Sequence, residues 1–227
     1  MTIRGRAKES GGLHDLLPHD LLKCLYRHLE QRNGLDPALV GDVLLGCVTQ
    51  HGEQAGNIAK TSTLYAGWPS SIGGMTVNRF CSSSVDAISI AALKITAGQE
   101  QTLVAGGVEM MSRVPMLADQ ASVFVDPAFA AQCRMLMMGS GADLIATLCG
   151  VSREQADAVA LLSQQRADHA RRNGYFSSIV AVPNPVKGIT VTEDECIRAN
   201  ATAESLAALP PAFADLGSKG VDAFQLA

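Results

Sequence analysis

Hydrophobic positions along this chain switch repeatedly between a helical and an extended period, and that alternation predicts its elements. Leu21, Leu22, Leu25 and Leu29 share one face of a helix from about His19 to Asn33, introduced by Pro18 and ended at Asn33-Gly34. Asp42 to Val48 reads as an apolar strand. A helix from about Gln54 to Ala66 follows, closed by Gly67-Trp68-Pro69. Gly74-Met75-Thr76-Val77 is a short β run, Ser82 to Ala97 a helix stopped by Gly98, and Thr102 to Val108 another strand. Strands alternating with helices predict an α/β unit with a parallel sheet and crossover helices.

The helix after Val77 carries a demand of its own. Between Ser82 and Ala97 only Asp86 and Lys94 are charged, and Val85, Ala87, Ile88, Ile90, Ala91, Ala92, Leu93 and Ile95 cover the whole circumference. Such a helix must be buried on every side, and one sheet covers one face only. The chain either receives a second cover or exposes a greasy surface. After Arg113 the texture changes. Val114 to Met138 is irregular, with Pro115, Pro127 and four methionines (Met116, Met135, Met137 and Met138). Ser152 then caps a helix to about Asn173, with Gln155 completing a capping box. Gly174-Tyr175-Phe176 ends it, and short β segments are expected around 179–182 and 189–191.

Composition narrows the function classes. A chain of 227 residues can bury a good core in one or two domains. Net charge is −4 and no basic cluster appears, which argues against nucleic-acid and anionic-membrane partners. The six cysteines form no CxxC pair and sit in mostly apolar surroundings, so neither a zinc site nor a disulfide framework is expected, and a reducing compartment is. No export signal and no apolar run of membrane-spanning length is visible, and the expected location is the cytoplasm.

One cysteine stands apart. Cys81 lies where the strand ending at Val77 gives way to the apolar helix. The positive end of the macrodipole and unpaired backbone N–H groups there favour the thiolate, the nucleophilic form of the residue. A cysteine nucleophile wants a histidine base within reach. Of His14, His19, His28, His51 and His169 only His51 follows a strand end, while His19 and His28 are assigned to a solvated helix face.

The surrounding residues extend this reading. Val77-Asn78-Arg79-Phe80-Cys81-Ser82-Ser83 resembles the nucleophile segment of thiolases, enzymes that cleave or condense acyl-CoA thioesters. Ala105-Gly106-Gly107-Val108-Glu109-Met110-Met111-Ser112 is similar to a second signature of that family. Gly46-Cys47-Val48 with Gln54 and Asn57-Ile58-Ala59-Lys60, Met138-Gly139 with Ser152 to Asp157, Asp194 to Arg198, and Leu209 to Phe213 match in the family's order. Ser84, Met110, Gly141 and Asp143 depart from the commoner glycine, serine, threonine and glutamate.

The resemblance implies one βαβαβ half of a five-layer αβαβα sandwich with an inserted loop domain. Residues 1–113 would be the N-terminal domain without its first strand and 114–227 a truncated loop domain, the C-terminal domain being absent. In that architecture the apolar helix lies between two sheets, one from each half. The implied activity is acyl-CoA C-acyltransfer, with Cys81 attacking a 3-ketoacyl carbonyl, holding the acyl group as a thioester and passing it to coenzyme A. Met138 and Phe213 are the implied contacts to the acyl-pantetheine. Gly106 and Gly107 would let backbones pass closely beside the nucleophile, and Glu109 would bond backbone rather than act as a base. CoA thioesters are substrates, so no cofactor and no metal is expected. A homodimer or homotetramer is implied for a complete enzyme.

The family's activating histidine sits in a Gly-His-Pro motif that this sequence does not contain. Its second catalytic cysteine and its water-positioning asparagine have no match either. Of the family's oxyanion-stabilising groups only the backbone N–H at Cys81 remains, so the chain alone is expected to be inactive or nearly so. The Met-rich loop and the Gly-Val-Glu-Met-Met-Ser pattern resemble the degradative, 3-ketoacyl-cleaving relatives of fatty-acid β-oxidation. The alternatives are a non-catalytic acyl-CoA or lipid-binding module and one half of a split enzyme.

Overall fold

Val43, Leu44 and Leu45 are at most 2% exposed, which places their strand at the centre of the structure. In the computed structural model, which describes residues 1–2 and 5–218, they belong to β1 (Asp42–Gly46). β1 pairs in parallel with β2 (Gly73–Val77) on one side and β3 (Leu103–Gly107) on the other, giving the order β2-β1-β3. A central parallel strand buried on both faces needs side chains that are apolar in both directions, hence its unbroken hydrophobic run.

Alternation along β1 then sorts the helices. Val43 and Leu45 face a cluster with Leu22 and Tyr26 of α1 (Pro18–Asn33) and Ile58 and Ala59 of α2 (Ile58–Ala66). Leu44 faces Ala87, Ile90 and Ala91 of α3 (Ser83–Thr96). The result is three layers, with α1 and α2 below the sheet and α3 above it. At the far end of α3, Lys94 Nζ meets Asp42 Oδ2 at 2.5 Å and ties the helix to the start of β1.

Local chemistry sets the boundaries. Asp20 Oδ2 accepts from Leu17 N at the start of α1, and Gly34 at φ +63° closes it by donating to Leu29 O. Tyr26, rather than the expected Leu25 or Leu29, is the largest fully buried side chain of this helix; its ring centroid lies 4.5 Å from that of Trp68, and its hydroxyl meets Ser62 Oγ at 2.9 Å. The helix expected over 54–66 starts only at Ile58. Gly56 and Asn57, at φ +68° and +56°, break the chain before it, and a 3₁₀ turn at Gly52–Gln54 precedes the break.

Two compact units divide the described chain: Met1–Asp119 with Ser178–Cys196, and Gln120–Ser177 with the residues from Ile197 on. Relative to the expected division into 1–113 and 114–227, the segment Ser178–Cys196 returns to the first unit. The physical reason is a second cluster, in which Val182 and Val191 pack with Leu13, Leu16, Leu21 and Met110. That segment forms an antiparallel pair, β4 (Val182–Asn184) and β5 (Ile189–Val191). β4 begins later than expected because Val180 makes an isolated parallel bridge to Thr2.

The second unit is helical. Short helices α4 (Ser122–Val125) and α5 (Pro127–Gln132) replace part of the stretch expected to be irregular, and Asp126 caps α5 through the N–H groups of Ala128 and Phe129. α6 (Met138–Leu148) was not anticipated. α7 (Arg153–Arg172) has the capping box read from Ser152 and Gln155. α8 (Ala203–Ala207) and α9 (Ala214–Ser218) follow, and Arg153 binds the carbonyls of Leu206, in the last turn of α8, and Leu209, just beyond it.

Candidate active site

The turn joining β2 to α3 is built by short bonds among its own residues. Asn78 Oδ1 accepts from Phe80 N at 2.8 Å. Ser83 Oγ accepts from Arg79 N at 2.8 Å and donates to Phe80 O at 2.6 Å, while Ser83 N donates to the same carbonyl. These bonds hold Phe80 at φ +47°, a left-handed conformation that costs a bulky residue about 1–2 kcal/mol. Arg79 pairs with Asp86 one turn into the helix. Cys81 is the residue presented by this elbow. It is exposed and stands one residue ahead of the N-cap Ser82.

The ends of β1 and β3 come close beneath the elbow. A Cβ on Gly46 would lie 2.5 Å from Ser83 C and Ser84 N, so α3 rides directly on the β1 backbone. A Cβ on Gly107 would lie 2.0 Å from Ser84 Oγ. Gly107 thus has the close-approach role expected of it. Gly106 does not, since its nearest neighbour would be Leu45 Cδ2 at 3.9 Å. Ser84, one of the departures from the family pattern, fills the space over Gly107.

Glu109 accepts from the backbone N–H of Val48 and, at 3.0 Å, of Thr49, and from Gln54 Nε2 at 3.0 Å. This is the backbone-bonding role rather than that of a free base. Gln54, fully buried, also donates to Thr49 O and accepts from Met110 N. Sequence reasoning had placed Gln54 in a helix; its neighbours Gly52 and Gly56 were the signal that it serves a turn instead. Cys47, 1% exposed beside this cluster, has its thiol pushed up to about 12 by burial and then by the Glu109 carboxylate, so it stays protonated and inert.

Among the described residues no histidine hydrogen-bonds Cys81. His51 is exposed and is engaged through its backbone N–H to Thr49 O. His19 is not solvated as expected. It is half-buried, with Nε2 3.0 Å from Thr61 Oγ1 and its ring edge-on to Tyr65, and burial lowers its pKa. Met138 and Phe213 belong to the second unit. Met138 opens α6 with its side chain exposed, and the Phe213 ring covers the next residue, Gly139, so closely that a Cβ there would lie 1.9 Å from Phe213 Cζ. Phe213 is thus set against the residue that follows Met138, within the second unit. No group of His, Cys, Asp and Glu with metal-binding geometry occurs among the described residues.

The outer face of α3 is uncovered. Val85, Ile88, Leu93 and Ile95 are 47–68% exposed, while Ala87 and Ala91 on the inner face are buried. The all-round apolar helix therefore has one satisfied side and one open side, as its sequence requires of a single sheet.

A three-layer α/β unit presenting a cysteine on a strand-to-helix elbow has the form of a thiolase half, and comparison with known proteins agrees. The model of the thiolase N-terminal domain family matches residues 1–223, and the chain belongs to that family. It is 42% identical over 219 residues to the 3-ketoacyl-CoA thiolase of Shewanella baltica strain OS155, covering 93% of this chain and 56% of that protein. The 3-ketoacyl-CoA thiolase of Aliivibrio fischeri strain ES114 is 40% identical over 223 residues. Among solved structures, the acetyl-CoA acetyltransferase of Bacillus anthracis superposes with a TM-score of 0.78 at 33% identity, over 93% of this chain and 56% of that one. The chain spans about half the length of the curated relatives it matches. No helix among the described residues is long and apolar enough to cross a membrane.

Proposed function

We propose that this chain carries the acyl-accepting half of a thiolase-type acyl-CoA C-acyltransferase. The observation that carries the reading is Cys81, exposed on an elbow whose central Phe80 is held at φ +47° directly ahead of α3. In the proposed reaction the Cys81 sulfur attacks the 3-keto carbon of a 3-ketoacyl-CoA. The C2–C3 bond breaks, the two-carbon CoA thioester leaves and takes a proton, and the acyl group stays on sulfur. A coenzyme A thiol then attacks this thioester, and Cys81 is regenerated. Splitting a carbon–carbon cleavage into two acyl transfers is what a covalent nucleophile offers.

The Cys81 N–H is the proposed oxyanion donor on this chain. Met138 and Phe213 are proposed to meet the acyl-pantetheine arm. CoA thioesters act as substrates, and no cofactor or metal is invoked. The degradative direction, within β-oxidation in the cytoplasm, and a homo-oligomeric assembly are part of the proposal. It rests for direction on the 3-ketoacyl-CoA thiolase relatives.

Cys81 is proposed to take the acyl group, with the activating base proposed to come from a Gly-His-Pro segment that residues 1–227 do not contain. Incubation with acetyl-CoA followed by peptide mass spectrometry tests this. Acetyl transfer to Cys81 supports the reading, and transfer to none of the six cysteines sinks it. The open face of α3 favours a second reading, in which a separate polypeptide supplies the missing cover and base. Co-purification of this chain with a Gly-His-Pro-bearing protein, with activity appearing only in the mixture, would establish that version.

A further inference from the structure

We infer that Glu109 is a positioning residue for Cys81, acting at a distance through one peptide plane and the Asn78 amide. The inference rests on the proposed nucleophilic role of Cys81. Glu109 Oε1 accepts from Thr49 N at 3.0 Å, and the carbonyl of the same peptide unit, Val48 O, accepts from Asn78 Nδ2 at 3.2 Å. A trans peptide carries its N–H and C=O on opposite edges of one rigid plane. Fixing the N–H on Glu109 therefore aims the carbonyl at Asn78. Once the Asn78 amide donates through its nitrogen, its oxygen must face the other way, and there it accepts from Phe80 N at 2.8 Å. Phe80 is the residue held left-handed immediately before Cys81. Three links thus run from the end of β3 to the elbow.

The carboxylate has further bonds that fix it in place. Its oxygens also take the Val48 N–H, the Gln54 side-chain amide at 3.0 Å and the Cys47 thiol at 3.7 Å. With donors on both oxygens, it holds the loop at 47–54 to the β3 exit. The same strand ends are pinned by backbone bonds, Cys47 N to Val77 O at 3.0 Å and Val108 N to Gly46 O at 2.9 Å. The peptide between Val48 and Thr49 is held on its N–H edge by Glu109, while its carbonyl takes both the Asn78 amide and the Gln50 N–H at 3.1 Å. An alanine here removes the acceptor and so breaks the first link, whereas a glutamine would keep one acceptor oxygen for the two backbone N–H groups.

The test compares cysteines within one folded protein. Iodoacetamide labelling of the chain is followed residue by residue by mass spectrometry, with exposed Cys133 and Cys149 as internal references. In the native sequence Cys81 should label fastest. Glu109→Ala and Asn78→Ala should each lower the Cys81 rate relative to the references by roughly three- to tenfold, the size of one lost hydrogen-bond link. The double variant should fall no further than the larger single effect, because both cut the same relay. A merely structural Glu109 would lower the melting temperature and leave the labelling ratio alone, and that result overturns the inference. If Glu109→Ala does not fold, exposed Asn78→Ala carries the test by itself, an unchanged ratio again being fatal. Equal labelling of Cys81, Cys133 and Cys149 in the native chain would instead bring down the nucleophile reading, and the positioning role with it.

Discussion

Gly46→Ala adds one methyl group where the structure leaves no room, and its consequence can be worked out in ångströms. The new Cβ would lie 2.5 Å from the carbonyl carbon of Ser83 and the nitrogen of Ser84, while ordinary contact starts at about 3.4 Å. Both neighbours are backbone, so no side-chain rotation relieves the clash, and α3 must shift away from β1 by about 0.9 Å. Overpacking of this kind costs about 1–3 kcal/mol. For a unit of this size that corresponds to a melting-temperature loss of roughly 3–10 °C. The same shift moves the elbow, because Ser83 supplies the hydroxyl and the N–H that hold Arg79 and Phe80. Misplacing a reacting group by about 1 Å can cost up to about a hundredfold in rate. Gly46→Ala should therefore lose Cys81 acetylation or alkylation out of proportion to its modest loss of stability. Differential scanning fluorimetry and residue-resolved labelling measure the two effects on one sample. Native melting behaviour together with native Cys81 reactivity would show that β1 and α3 are not in the described contact.

Further outcomes follow from other parts of the fold. Leu44→Ala, at a position 0% exposed between β1 and α3, should cost about 2–5 kcal/mol in urea unfolding. Phe80→Gly relieves the left-handed strain while loosening the unfolded chain, so stability should change by less than about 1 kcal/mol, yet Cys81 labelling should slow as the elbow loses its single conformation. Ile88→Glu with Leu93→Glu, on the open face of α3, should leave stability within about 0.5 kcal/mol and reduce binding of a hydrophobic dye; a collapse of the fold would mean that this face is covered. Glu53, half-exposed and paired with Arg113, is held below its ordinary value of 4.5, first by that hydrogen bond. Its folded pKa is depressed, so the stabilisation is present above 4.5 and is lost as pH falls through the folded value. The melting-temperature gap between the native chain and Glu53→Gln should thus be open at pH ~6 and close toward pH ~3. A gap that widens on acidification would refute the pairing.

Much of this molecule can be read from residue order. The unbroken apolar run of β1 demands a central strand, and the greasy circumference of α3 demands more cover than one sheet provides; both follow from counting apolar positions against a period. The position of Cys81 between a strand and a helix is likewise a local property, as are the caps at Gly34 and Ser152. What failed was local punctuation with a nonlocal purpose. Gln54 reads as a helical residue, but its amide is taken by Thr49, Glu109 and Met110, and Gly56 and Asn57 break the chain to let it be so used. His19 reads as solvated until Tyr65 and Thr61 are seen against it.

The sequence by itself determined the layers, the place of Cys81 between strand and helix, and the family, because periodicity and a run of neighbouring residues are properties of a line. Only the folded chain decided that Gly107 and not Gly106 makes the close approach, that residues 178–196 join the first unit, and that Glu109 reaches the elbow through the Val48–Thr49 peptide and Asn78. Each of those facts is a distance between residues far apart in the chain. Such distances depend on how three strands end beside one another, which no local pattern encodes.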